Sequence, residues 1–243
     1  MRIQSQGRAN ARLGCDVMIE ELRQFVQGVL LVLGALIPIV NPLGGAPVFL
    51  AMTAGNDNAT RNLLARQVAI NSLILLLVSV FIGGFVLEFF GISVPVVQVA
   101  GGLLVSSMGW QLLTHGAAQP EPVADASGAD VVATRAFYPL TLPLTVGPGT
   151  ISVAITIGAN HRTSITSYLI ASIASIVGAV IVCATVYACY RNSRRLGQLL
   201  GKSGTAVVIR LTAFILVCIG VQIVWNGVVA LLGTVGMPVP KAL

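Results

Sequence analysis

Charge is what this sequence has least of. Only 9% of its 243 residues are Asp, Glu, Lys or Arg, whereas a soluble domain carries about a quarter. That shortage argues against an ordinary water-soluble globule. Histidine is scarcer still: His115 and His161 are the only two, both fall between apolar runs, and neither belongs to a set with metal-ligand spacing. The four cysteines, Cys15, Cys183, Cys189 and Cys218, form no CxxC pair and read as small apolar filler rather than a disulfide framework or a metal site. Enzyme signatures are missing as well. There is no H-E-x-x-H, no G-x-S-x-G and no Walker A sequence, so no enzyme activity, no cofactor and no built-in ATP drive are expected. The formal charge of +6 does not point to nucleic acid, because the basic residues lie between apolar runs and build no aromatic-interleaved stripe.

What is present is uninterrupted apolar sequence. The 22 charged side chains (14 + 8) leave charge-free runs at 24–56, 67–87, 89–114, 136–160, 163–190 and 211–240. Each exceeds the roughly 18 apolar residues of a spanning candidate. Backbone groups in lipid must be satisfied within their own segment, so helices are expected, and the short alternating segments of a barrel are not visible. The fold predicted is an all-α membrane protein of six transmembrane helices. Residues 1–17 are polar, contain arginine and lack the apolar stretch of a signal peptide. They are expected to be a disordered tail, or translation to begin at Met18.

The two halves resemble each other. The stretch I-P-I-V-N-P-L-G-G-A-P-V (37–48) aligns with L-P-L-T-V-G-P-G-T-I-S-V (142–153) at an offset of 105, pairing Pro38 with Pro143 and Gly44 with Gly149. Near the end of each half an offset of 111 pairs Gly109 with Gly220 and Gln111 with Gln222. A first repeat at 18–114 and a second at 135–243, joined by a Pro/Gly/Ala-rich loop at 115–134, each hold three spans. An odd number of spans makes the second repeat enter the bilayer from the other side, so the repeats are expected to be inverted, with the first helix of each broken. One set of loops and span ends collects Arg61, Arg66, Arg135, Arg191, Arg194, Arg195 and Lys202; the other, leaving out the tail at 1–17 with its three arginines, holds Arg23, Arg162 and Lys241. The positive-inside rule then places both termini outside the cytoplasm.

The candidate site lies at the breaks. N-P-L-G-G-A-P (41–47) and G-P-G-T (147–150) put proline and glycine in the middle of spans one and four. Proline removes a helical hydrogen bond, and the freed groups are tolerated only where protein or a watery cavity surrounds them. A half-helix starting after each break aims unpaired N–H groups at that cavity. Asn41, Pro42, Gly44, Gly45, Gly147, Pro148, Gly149 and Thr150 are therefore candidate substrate-binding residues, with Thr141, Thr145 and Ser152 nearby. Packing kinks, and hydroxyls that merely bond their own helix, are the competing reading. Gly101, Gly102, Gln111 and Gln222 are expected to serve helix packing. Arg210 and Glu88 are the two charges inside or beside apolar sequence; each is expected at an interface, with a role toward an anionic substrate or in proton coupling as the alternative.

I-V-N-P-L-G-G-A-P-V-F-L (39–50), F-G-I-S-V-P (90–95), A-G-G-L-L (100–104) and F-Y-P-L-T-L-P-L-T-V-G-P-G-T-I (137–151) together resemble the MarC family. The resemblance runs from about Met18 through the sixth span. It implies a six-span protein of the bacterial inner membrane and, since some members are linked to neutral amino acids such as glycine and alanine, a secondary transporter of small neutral solutes. The lipid bilayer, such a substrate and a coupling proton or sodium ion would be its partners, and a homo-oligomer is compatible. An uncoupled channel or facilitator, or a structural or regulatory membrane subunit, are the alternatives. The chain departs from the family in its tail and at Val146-Gly147, where a small residue is expected before G-P-G.

Overall fold

A computed structural model describes residues 2–115, 134–159 and 165–234. Most of the expected loop at 115–134, together with His161, Arg162 and Lys241, lies outside the described residues. The order is α1 (Arg2–Val40), α2 (Pro42–Met52), α3 (Asn58–Phe89), α4 (Val94–His115), α5 (Ala136–Thr145), α6 (Pro148–Ala159), α7 (Ile165–Arg191) and α8 (Ser193–Thr234). Among the described residues every regular element is helical.

Five stretches are each long and apolar enough to cross a membrane, the first being Met18–Met52, which runs through α1 and α2. The pair α5 and α6, bent by 70° at the break between them, makes a sixth if it is counted as one broken span and not as a re-entrant loop. The outer surface suits lipid. Leu30, Leu31, Ile74, Phe85, Phe214 and Trp225 all point outward, a display of apolar surface that would aggregate in water.

The core gathers side chains from α1, α2, α3, α5, α6 and α7. Phe49, Leu64, Val68, Leu76, Val182, Val186 and Tyr190 are all fully buried there. Lipid gives helices no hydrophobic drive to associate, so close approach depends on small residues. The contact of α4 with α8 follows that rule: a Cβ on Gly102 would stand 2.7 Å from the Gly220 carbonyl oxygen, and one on Gly109 would stand 2.9 Å from that of Ala213. Gly101 lies against Ser152 of α6, whose hydroxyl donates to the Val97 carbonyl at 2.7 Å. In the same way Gly28 of α1 meets Ala174 of α7, and Gly158 of α6 meets the Val80 backbone of α3.

Candidate functional site

The first break is a single residue. Asn41 sits in the left-handed region (φ 49°, ψ 61°), which asparagine tolerates better than most side chains. Its backbone keeps the ladder nearly intact: its N–H donates to Ile37 O, and its carbonyl accepts from Gly45 N–H, both at 2.9 Å. Its side-chain oxygen accepts the Gly44 N–H at 3.0 Å, capping α2. Pro42 takes the first helical position, where its missing N–H costs nothing.

The second break is larger. Pro139 and Pro143 lie inside α5, whose turns are wide, and Tyr138 and Leu142 have extended backbone. The hydroxyls of Thr141 and Thr145 donate to the carbonyls five residues back, Ala136 O and Leu140 O, both at 2.7 Å. These bonds turn the threonine hydroxyls back onto their own segment and add side-chain donors to carbonyls within the wide turns. Val146 is extended, donates its N–H to Thr141 O at 2.9 Å, and ends the segment. α6 then restarts at Pro148, again with proline first.

The two breaks meet. A cavity of about 560 Å³ is lined by Asn41, Gly44 and Gly45 from one and by Thr145, Gly147, Gly149 and Thr150 from the other. Val105, Met108 and Leu112 of α4 and Leu216 of α8 form much of the remaining wall. Six of the eight predicted substrate-binding residues are thus brought together; Pro42 and Pro148 do not line the cavity. Every lining side chain is uncharged. Glu88 is exposed at the end of α3 and Arg210 is exposed on α8, both away from it. The two glutamines differ. Gln111 lines the cavity and donates to Ser107 Oγ at 3.3 Å, while Gln222 donates to Asn226 Oδ1 at 2.9 Å along its own helix.

Tyr190, near the end of α7, ties the breaks together and was not singled out by the sequence. Its hydroxyl lies 3.0 Å from Thr145 Oγ1, its ring stacks on Phe49 of α2 with centroids 4.5 Å apart, and a Cβ on Gly45 would stand 2.6 Å from its oxygen. A side chain at residue 45 would push this tyrosine off both break segments. Nothing local marks Tyr190 in the sequence, since Thr145 is 45 residues away.

The family model described as MarC family integral membrane protein matches residues 26–232, which takes in both breaks and all the cavity walls. The inner membrane protein MarC of Salmonella typhimurium is 31% identical over 206 residues, covering 82% of this chain and 93% of that protein. The inner membrane protein MarC of Escherichia coli is 30% identical over 209 residues, with the same coverage. No solved structure matches the chain.

Proposed function

The chain belongs to the MarC family of integral membrane proteins, and from that footing we propose that it is a secondary transporter of small neutral solutes, amino acids such as glycine or alanine among them. The observation that carries this reading is the convergence of two proline-started half-helices, α2 and α6, on one cavity with uncharged walls. Each helix start brings a positive dipole end, although at α2 the Gly44 and Gly45 N–H groups are already taken by Asn41. A zwitterion's carboxylate is suited to such a place, and an ion with net charge would find no counter-charge on the walls. The apolar side chains of α4 and α8 give the rest of the solute its surroundings, and about 560 Å³ leaves room for side chains larger than that of alanine.

Alternating access needs two bodies that rock about the site, and inverted repeats would supply them. The packing is consistent with such a relation. Shifting the Gly102–Gly220 contact by the offset of 111 turns it into Ala213–Gly109, which is the neighbouring contact of the same two helices. On this reading the arginine-rich loops face the cytoplasm and both termini face the periplasm.

The test is uptake into proteoliposomes of labelled glycine, alanine and leucine, with and without proton and sodium gradients. Accumulation above the outside concentration supports a coupled transporter. No flux of any neutral amino acid would sink the substrate class. A second reading, an uncoupled facilitator, is favoured by one observation: no ionisable side chain lines the cavity to carry a proton. Flux that only equilibrates and never accumulates would select it.

A further inference from the structure

A second cavity, of about 650 Å³, opens away from the breaks, where the start of α3 meets the turn between α7 and α8. Four guanidinium groups border it, those of Arg61, Arg191, Arg194 and Arg195, and no carboxylate does. Three of these cations are held in place. Arg61 is almost fully buried and Arg194 is exposed, yet both donate to Asn58 Oδ1, at 3.2 and 2.9 Å. Arg191 donates to the Tyr187 hydroxyl at 3.1 Å and lies over that ring, 5.7 Å from its centre. Asp57, the one acid between residues 53 and 65, accepts the Thr60 N–H at 3.0 Å as the cap of α3 and does not line the cavity. Among the described residues none of the four arginines has a salt bridge.

Arginines in such loops orient a membrane protein whether or not they bind anything. Orientation requires only their number. It does not require them to be gathered on one cavity wall, with three of them fixed on neutral acceptors, where they repel each other. A group with several anionic oxygens relieves that repulsion, and guanidinium forks match the spacing of phosphate oxygens. Basic pockets between spanning helices near the membrane surface are suited to lipid phosphates, and Tyr187 has the amphipathic ring common at headgroup level.

We propose that the arginine-lined cavity between the start of α3 and the α7–α8 turn binds a phosphate-bearing anion. The chemistry fits the phosphodiester of an anionic phospholipid headgroup and also a soluble phosphate. The site is separate from the cavity between the breaks and stands whether or not that cavity carries amino acids.

The experiment uses the full chain purified in neutral detergent. Native mass spectrometry follows lipid retained from an equimolar mixture of phosphatidylglycerol and phosphatidylcholine, and thermal shift follows inorganic phosphate. The test variant is Arg191→Gln/Arg194→Gln/Arg195→Gln; the control is Arg23→Gln/Arg66→Gln, which removes charge elsewhere. The expected result is retention of phosphatidylglycerol over phosphatidylcholine by about tenfold or more in the native chain and the control, lost in the triple variant. Stabilisation by phosphate alone, lost in the same variant, would identify a soluble ligand for the same site. No lipid preference together with no phosphate effect overturns the proposal, as does equal loss in the control. If the triple variant does not fold, Arg195→Gln, which breaks none of the hydrogen bonds described above, takes its place with the same outcomes.

Discussion

Replacing Asn41 separates what holds the first break together from what the break does. The residue has a left-handed backbone (φ 49°) and caps α2 through Gly44 N–H at 3.0 Å. In Asn41→Ala the cap is lost, costing about 1 kcal/mol, and a Cβ-bearing residue without asparagine's tolerance stays left-handed, costing about 1 kcal/mol more. The expected destabilisation is roughly 2 kcal/mol. Asn41→Gly loses the cap but has no steric objection to positive φ, and glycine caps cost only a few tenths of a kcal/mol. Asn41→Asp keeps the acceptor and suits the helix dipole, so it should fold like the native chain. Reversible unfolding in mixed detergent–SDS micelles, followed by circular dichroism, measures the order: Asp near native, Gly slightly below, Ala lowest. Uptake should rank differently. The added negative charge beside the cavity should repel a substrate carboxylate, so Asn41→Asp should fold well and transport at least about tenfold less. Alanine as stable as glycine would refute the backbone argument. Undiminished uptake by the well-folded Asp variant would refute the placement of a carboxylate at this helix end.

The other expectations concern packing and caps. Gly102→Ala should destabilise by about 2 kcal/mol, because its Cβ would meet the Gly220 carbonyl at 2.7 Å, whereas Gly34→Ala, with nothing within 4 Å, should stabilise by roughly 0.5–1 kcal/mol; the same micelle unfolding assay compares them. Arg61 donates to Thr53 Oγ1 at 3.1 Å, Thr53 O at 2.7 Å and Asn56 O at 3.0 Å, tying down the chain that leaves α2. Arg61→Met should cost about 3 kcal/mol, with Lys restoring only part, and limited proteolysis should cut first between residues 53 and 58. Tyr190→Phe keeps the stack on Phe49 but leaves Thr145 without its 3.0 Å partner, so about 1 kcal/mol of stability should go. If Tyr190 also couples the breaks, transport should fall further than that loss of stability accounts for.

Proline and glycine made the breaks legible, and their asymmetry was not. Asn41-Pro42 and Gly147-Pro148 mark the helix starts to the residue, because proline fits a helix only where no N–H is needed. The same logic could have been pressed further along F-Y-P-L-T-L-P-L-T. Two prolines four residues apart remove two ladder donors, and the structure answers with wide turns rather than a regular half-span. Repeat matching paired Gln111 with Gln222, yet only Gln111 reaches the cavity, since matched positions need not have matched surroundings. Arg61 counts in the sequence as one loop charge among many. Its burial depends on the chain turning back after Met52, which local pattern does not encode.

The two breaks differ in a way that role exchange between inverted repeats would produce. The first passes from α1 to α2 through one left-handed residue and belongs to a continuous span; the second bends by 70°. Were both breaks static packing devices, nothing would relate their angles. Were the repeats to exchange roles across the transport cycle, the opposite state would bend the first break and straighten the second. Spin labels can read this in a chain freed of its native cysteines: Leu31→Cys with Ala51→Cys spans the first break, and Phe137→Cys with Ala159→Cys spans the second. Exchange predicts two distances for each pair, with substrate or a gradient shifting the pairs in opposite directions. A single unchanging distance on both, in protein that transports, would mean that the 70° bend is fixed architecture and that the moving parts lie elsewhere, with the contact of α4 and α8 the next place to label.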